Sequence, residues 1–164
     1  IMYAIWFVLE KNDTEYFTNI INKLSTKYNA HPFKPHITAY GLVDVNLEEL
    51  DKIVAKSIQG EKQFVIEKSN VSYSEVFWKT LFVEFQPNTQ LERINKKLTE
   101  SLEYFNKYEF IPHVSLIYKK MNESEQKKLV NTIEIKEKFT VTAMWIQQFH
   151  EDIDKWKIVR KYEF

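Results

Sequence analysis

FKPHITAY, residues 33–40, and FIPHVSLIY, residues 110–118, share one pattern: Phe, any residue, Pro, His, an apolar residue, then a hydroxyl. The histidines are His36 and His113, 77 residues apart in a chain of 164. A motif repeated half a chain apart predicts an internal duplication, and the flanks support it. At the same offset Pro35 maps to Pro112, Thr38 to Ser115, Ile21 to Leu98 and Ile53 to Val130.

Working outward, each half reads as strand, helix, strand, helix, strand. In the first half, MYAIWFVLE (2–10) is rich in aromatic and branched residues and reads as a buried strand. Asn12 and Asp13 offer an N-cap to a helix whose apolar positions are Phe17, Ile20, Ile21, Leu24 and Tyr28. HITAYGL is a short strand. A second helix carries Leu47, Leu50, Ile53, Val54 and Ile58 on one face, and KQFVIEKSNVSYSEV is a strand. In the second half, TLFVEF is a strand and Asn88 caps a helix bearing Leu91, Ile94, Leu98, Leu102 and Phe105. HVSLIY, a helix with Leu129, Val130 and Ile133, and the strands FTVTAMWIQQF and WKIVRKYEF complete the chain.

The expected fold is therefore α+β and bilobal. Two mostly antiparallel sheets would flank a central cleft, with single-striped helices on the outside. Residues 1–164 form one domain of two pseudo-symmetric lobes, about 1–78 and 79–164, with strands free to exchange between them. With two glycines and four prolines there is no flexible linker.

Composition narrows the function. The chain has 23 basic and 23 acidic residues, so it lacks the electrostatic footprint of a protein that binds long nucleic acid. It has no cysteine, which removes disulfides, thiolate nucleophiles and cysteine-ligated zinc, and suits a reducing cytoplasm. The apolar start IMYAIWFVLE lacks a basic region and a cleavage site, so a signal peptide is not expected. No apolar run reaches membrane-spanning length. A monomer acting on a small molecule is expected.

In a strand, residues i and i+2 share a face. His36 therefore projects with Thr38, and His113 with Ser115. The pseudo-twofold can bring both pairs to one cleft. An unperturbed imidazole titrates near pH ~6.5, so a pair can hold one neutral and one protonated ring near neutrality. The neutral ring accepts a proton from attacking water and the protonated ring gives one to a departing ribose oxygen. The hydroxyls can donate to the non-bridging phosphate oxygens. The spacing does not suggest a metal, and no cofactor is implied. One Pro-His-apolar-Thr is weak evidence. Duplication explains repeated leucines, but not repeated polar pairs inside apolar strands, where each buried polar group needs a partner. His31 and His150 lack this setting and read as surface or capping residues, and Tyr40 as packing.

PHIT and PHVS resemble the paired H-x-T/S motifs of the two-histidine phosphoesterase superfamily. Within it the chain is most similar to the cyclic phosphodiesterases, including the plant enzyme that opens ADP-ribose cyclic phosphate and nucleoside 2′,3′-cyclic phosphates. YAIW, PHITAYG, FIPHVSLIYKKMNESEQKK and DKWKIV extend the likeness over nearly the whole chain. The plant enzymes carry cysteines, and their lack here removes any redox control. The resemblance implies metal-independent hydrolysis of a small cyclic phosphate to a phosphomonoester. His36 and His113 would be the acid/base pair, with His113 activating water and His36 protonating the leaving oxygen. Thr38 and Ser115 would bind phosphate, Tyr118 the phosphate or ribose. Trp6 would lie near the nucleotide, and Trp78 would stack on a base. Two other readings stay open: cleavage of 2′-5′ oligonucleotides or cyclic nucleotide signals at the same site, and a nucleotide- or RNA-binding module without catalysis.

Overall fold

The computed structural model describes all residues from 1 to 164. The first half runs β1 (Tyr3–Leu9), α1 (Lys11–Tyr28), β2 (Ile37–Val43), α2 (Leu47–Ser57) and β3 (Phe64–Tyr73). The second runs β4 (Leu81–Phe85), α3 (Thr89–Leu102), β5 (His113–Ile117), α4 (Glu123–Thr132) and β6 (Lys138–Gln148), followed by β7 (Lys157–Glu163). Shifted by 77 residues, every element of the first half lands within three residues of its counterpart at both ends. Only β7 has no partner in the repeat.

All strand pairs are antiparallel and join into one seven-stranded sheet. β1 pairs with β2 and β6, β3 with β4 and β6, and β5 with β4 and β2, so six strands return on themselves. Read from β2, the order β2-β1-β6-β3-β4-β5 maps onto itself under the 77-residue shift. A pseudo-twofold axis therefore passes between β3 and β6. It also passes between β2 and β5, whose one pairing joins Ile37 to Val114, residues that the shift makes equivalent. The two lobes are thus two halves of a continuous sheet, joined along β6. Its first part (138–141) pairs with β3 and its later part (143–148) with β7.

The strands near the seam are buried on both faces. Along β1, Tyr3, Ile5, Phe7 and Leu9 enter the main core with Phe17 and Leu24 of α1 and Leu91, Ile94, Leu98 and Leu102 of α3. Ala4, Trp6 and Val8 face the other way, into a smaller apolar cluster with Ala143. That explains why β1 reads as a continuous apolar run rather than an alternating one. The helices cover the core face and leave the opposite face free for a site. β2 has little strand pairing on its β5 side, and side chains from α3 and the turn after it satisfy it instead. Asn95 Nδ2 donates to the Ala39 carbonyl at 2.8 Å and Asn106 Nδ2 to the Leu42 carbonyl at 2.8 Å. Tyr40, fully buried, donates its hydroxyl to the Asn106 carbonyl.

Two helix ends differ from the sequence expectation. Glu10, not Asn12 or Asp13, caps α1, its carboxylate accepting from Asp13 N at 2.6 Å. Asp13 is already engaged: its buried carboxylate accepts from Thr140 N at 2.7 Å and from Lys136 Nζ, which ties α1 to β6. Helix α3 stops at Leu102, and Phe105 lies beyond it, 46 % exposed. A tighter turn closes there, with Phe105 N donating to Leu102 O at 2.9 Å. No helix is long and apolar enough to cross a membrane.

Candidate active site

The Ile37–Val114 pairing fixes the site. In an antiparallel pair, the register that sets Ile37 against Val114 sets His36 against Ser115 and Thr38 against His113. Opposed residues share a face. All four polar side chains therefore stand on one face of the seam, and all four line a cleft of about 310 Å³. Ala4, Trp6, Trp78, Lys79, Tyr118 and Gln147 are among its other walls. The structure thus brings together every residue that the sequence singled out for the site.

The two imidazoles are held alike. His36 Nδ1 lies 2.7 Å from the Lys34 carbonyl, and His113 Nδ1 lies 2.7 Å from the Ile111 carbonyl. Lys34 and Ile111 are equivalent under the repeat. Each proline precedes its histidine, and in both copies the carbonyl two residues before the histidine meets its ring. A carbonyl only accepts, so Nδ1 carries the proton in the neutral ring and Nε2 keeps its lone pair. Each Nε2 can then act as an acceptor when neutral and a donor when protonated.

Their surroundings differ. Trp6 stacks face to face on His36, with ring centroids 3.6 Å apart and planes within 8°. His36 is 8 % exposed, and its pKa is lowered to about 4. Burial is the main cause, the Lys34 carbonyl opposes it, and His113 adds a further lowering. His113 meets Phe82 edge-on, with centroids 5.4 Å apart, and stands opposite Glu84 in the β4–β5 register. Its pKa is also lowered, first by burial and then by the charge of Lys79, against the raising effects of the Ile111 carbonyl and Glu84. Both shifts favour the neutral ring in the ligand-free protein.

The hydroxyls differ too. Ser115 Oγ donates to the Trp78 carbonyl at 2.7 Å, while Thr38 Oγ1 has no partner within the protein. Tyr118 is buried against Phe33, with centroids 3.9 Å apart, and its pKa is raised, mainly by burial, so it stays a neutral donor. Trp6, 2 % exposed, lies under His36 and supports it rather than offering a free face. Trp78 sits in a 3-10 turn at Phe77–Lys79, with Trp156 at 5.8 Å and Phe149 at 5.7 Å between ring centroids.

Several wall residues were not singled out from sequence: Lys79, Gln147, Phe149 and Trp156. The last three come from β6 and the turn after it, which β1–β6 pairing carries to the cleft. The one available signal was the density of aromatic residues around 145–156. His31 pairs with Asp154, Nε2 to carboxylate at 2.6 Å, and the His150 carbonyl accepts from Trp156 Nε1 at 2.6 Å. Both histidines hold the turn that carries Trp156.

Comparison with known proteins agrees with the fold. The profile of a family described as "Cyclic phosphodiesterase-like protein" matches residues 2–164. No curated protein sequence matches significantly. Among solved structures, one described as a phosphoesterase superposes with a TM-score of 0.69 at 12% identity, covering 99% of this chain and 97% of its own. The protein TT0787 of Thermus thermophilus gives 0.65 at 12% identity over 99% and 97%. E. coli LigT complexed with 3′-AMP gives 0.64 at 12% identity over 99% and 96%.

Proposed function

This chain belongs to the cyclic phosphodiesterase-like family of two-histidine phosphoesterases, and we propose that it hydrolyses a small cyclic phosphate to a phosphomonoester without a metal. The candidate substrates are a nucleoside 2′,3′-cyclic phosphate and ADP-ribose cyclic phosphate. The observation that carries the reading is the paired imidazoles, each with Nδ1 bonded to a carbonyl and Nε2 free, on one wall with two hydroxyls. A binding module without catalysis has no need of this arrangement.

In the proposed step, His36 Nε2 takes a proton from water as the water oxygen bonds to phosphorus. The phosphorus–oxygen bond on the far side breaks, and His113 Nε2–H gives its proton to the departing ribose oxygen. Oxygen and proton counts balance, and each ring ends in the other's starting state. This reverses the roles that the family resemblance suggested, for an electrostatic reason. His36, its pKa lowered to about 4 mainly by burial, stays neutral, as a base must. A bound phosphate anion favours the charged form of His113, which lets it serve as the acid. Thr38, with a free hydroxyl, donates to a non-bridging oxygen, and Ser115 does so after leaving the Trp78 carbonyl. Lys79 is the one cationic wall residue and draws the anion in.

The cleft lies at the small end of the usual ligand-pocket range of ~300–1,000 Å³, which favours one nucleotide over an oligonucleotide. E. coli LigT binds 3′-AMP, a phosphomonoester of the class this reaction releases. The test is a panel of cyclic mono- and oligonucleotides and linear 2′-5′ oligomers, with products read by phosphorus NMR. Turnover of cyclic mononucleotides to one monoester regioisomer supports the reading. Turnover of 2′-5′ oligomers alone overturns it.

A further inference from the structure

Gln147, near the end of β6, is 1 % exposed, and neither its amide nitrogen nor its amide oxygen has a hydrogen-bond partner. The only other unpartnered buried side-chain atom is Ser25 Oγ in α1, which does not line the cleft. Buried polar groups are almost always paired, because an unmade bond costs the full loss of solvation. A leucine or methionine would fill this position at no such cost. Gln147 is also a wall of the cleft that holds both histidines. A donor and an acceptor on one planar group are thus held unspent beside the proposed reaction centre.

Register locates it. In the β1–β6 pairing Gln147 stands opposite Ala4, and Trp145 opposite Trp6. Ala4 and Trp6 share the cleft face, so Gln147 lies two residues, about 7 Å, along the strands from the Trp6–His36 stack. That is the scale of a ribose standing between a phosphate and its base. The Ala4 side chain beside it is small. Phe149, two residues on, forms a cluster with Trp78 and Trp156, all ring centroids lying 5.7 to 5.9 Å apart. Trp156 is fixed by its Nε1 bond to the His150 carbonyl. Aromatic edges and faces suit a flat heterocycle, and an amide suits an edge that carries a donor next to an acceptor.

We infer that Gln147 is a specificity residue that reads the hydrogen-bonding edge of the substrate's nucleobase, bounded by Trp78, Phe149 and Trp156. The ligand class is then a nucleoside cyclic phosphate whose base presents adjacent donor and acceptor atoms, rather than a base-free sugar phosphate. This rests on reading the cleft as a cyclic-phosphate site.

The test measures binding of products, so it does not depend on turnover. The four nucleosides as 2′- and as 3′-monophosphates, and the base-free 1-O-methylribose 2- and 3-phosphates, are titrated by tryptophan fluorescence into wild type and Gln147→Met. The expected result is a tenfold to hundredfold loss for the tightest-binding nucleotide in Gln147→Met, with base-free affinity unchanged. Equal affinity in both proteins, or a parallel loss for both ligands, overturns the inference. On the unaltered protein, the analogue of the tightest nucleotide in which methyl groups replace every hydrogen on the nitrogens of that edge keeps the ring and loses the donor. It should bind at least tenfold more weakly, and equal binding overturns the inference even if Gln147→Met does not fold. Base-dependent binding without turnover would sustain this inference and defeat the proposed hydrolysis.

Discussion

The indole of Trp6 lies flat against the imidazole of His36, with centroids 3.6 Å apart and planes within 8°. The stack keeps water off the ring, and lost solvation is the main reason the His36 pKa is lowered to about 4. Trp6→Leu opens that face. The His36 pKa should rise towards its ordinary value, moving the acid limb of kcat/KM to higher pH, while Trp6→Phe should stay close to wild type. An NMR titration of the His36 ring checks the shift, and an unmoved titration in Trp6→Leu would remove the stack from the explanation.

The pH dependence of kcat/KM follows from the free-protein pKa directions. The base must be neutral, which holds above about pH 4 for His36. The acid must be protonated, which fails above the His113 value, itself lowered from 6.5. The bell should therefore lie wholly on the acid side of pH 6.5. In the complex, a phosphate anion raises both rings, so the basic limb of kcat should lie above that of kcat/KM. A kcat/KM optimum at pH 8 would contradict the lowered His113 value.

Lys79 lowers the His113 pKa and stands in the cleft wall, its Nζ 4.6 Å from the Phe82 ring centre. Lys79→Met should raise KM about tenfold through weaker anion attraction. It should also move the basic limb of kcat/KM upwards, because the charge that opposes protonation of His113 is gone. A fall in kcat with no change in KM would point to a different role.

Much of this was legible in the residues. The repeat at 77, the order of the elements and the four polar residues of the seam follow from local pattern, because period and motif are local properties. The neighbours of those residues do not. Nothing in YAIW says that Trp6 will lie under His36 until β1 is known to pair with β2 in that register. Gln147, Phe149 and Trp156 reach the cleft only because β6 lies beside β1, a contact between the two ends of the chain. Lys79 is one lysine among many until the turn before β4 places it beside His113. Asp13 looked like a cap because its partners Thr140 and Lys136 are more than a hundred residues away.

Stability should depend on pH through the same histidines. Both have folded pKa values below the unfolded 6.5. Unfolded rings thus take up protons first as pH falls. The folded state keeps its full stability above about pH 6.5 and loses it progressively as pH falls towards 4, His36 contributing up to about 3 kcal/mol. His31 runs the other way: its pKa is raised by the Pro32 carbonyl and Asp154, so its small, exposed contribution is present below 6.5 and fades above. Urea unfolding at pH 7.5 and 5.0 should show the loss, and His36→Asn should flatten it. An unchanged slope in His36→Asn would contradict the burial argument.

The central claim is that two imidazoles share one proton-transfer reaction. The most direct measurement is single-turnover hydrolysis of a nucleoside 2′,3′-cyclic phosphate by His36→Ala, His113→Ala and the double variant, with folding checked by circular dichroism. Each single change should lower the rate about 10²–10⁴-fold, and the double variant should lose far less than the product of the two, because the residues act as a unit. Wild-type rates in either folded single variant would contradict the account.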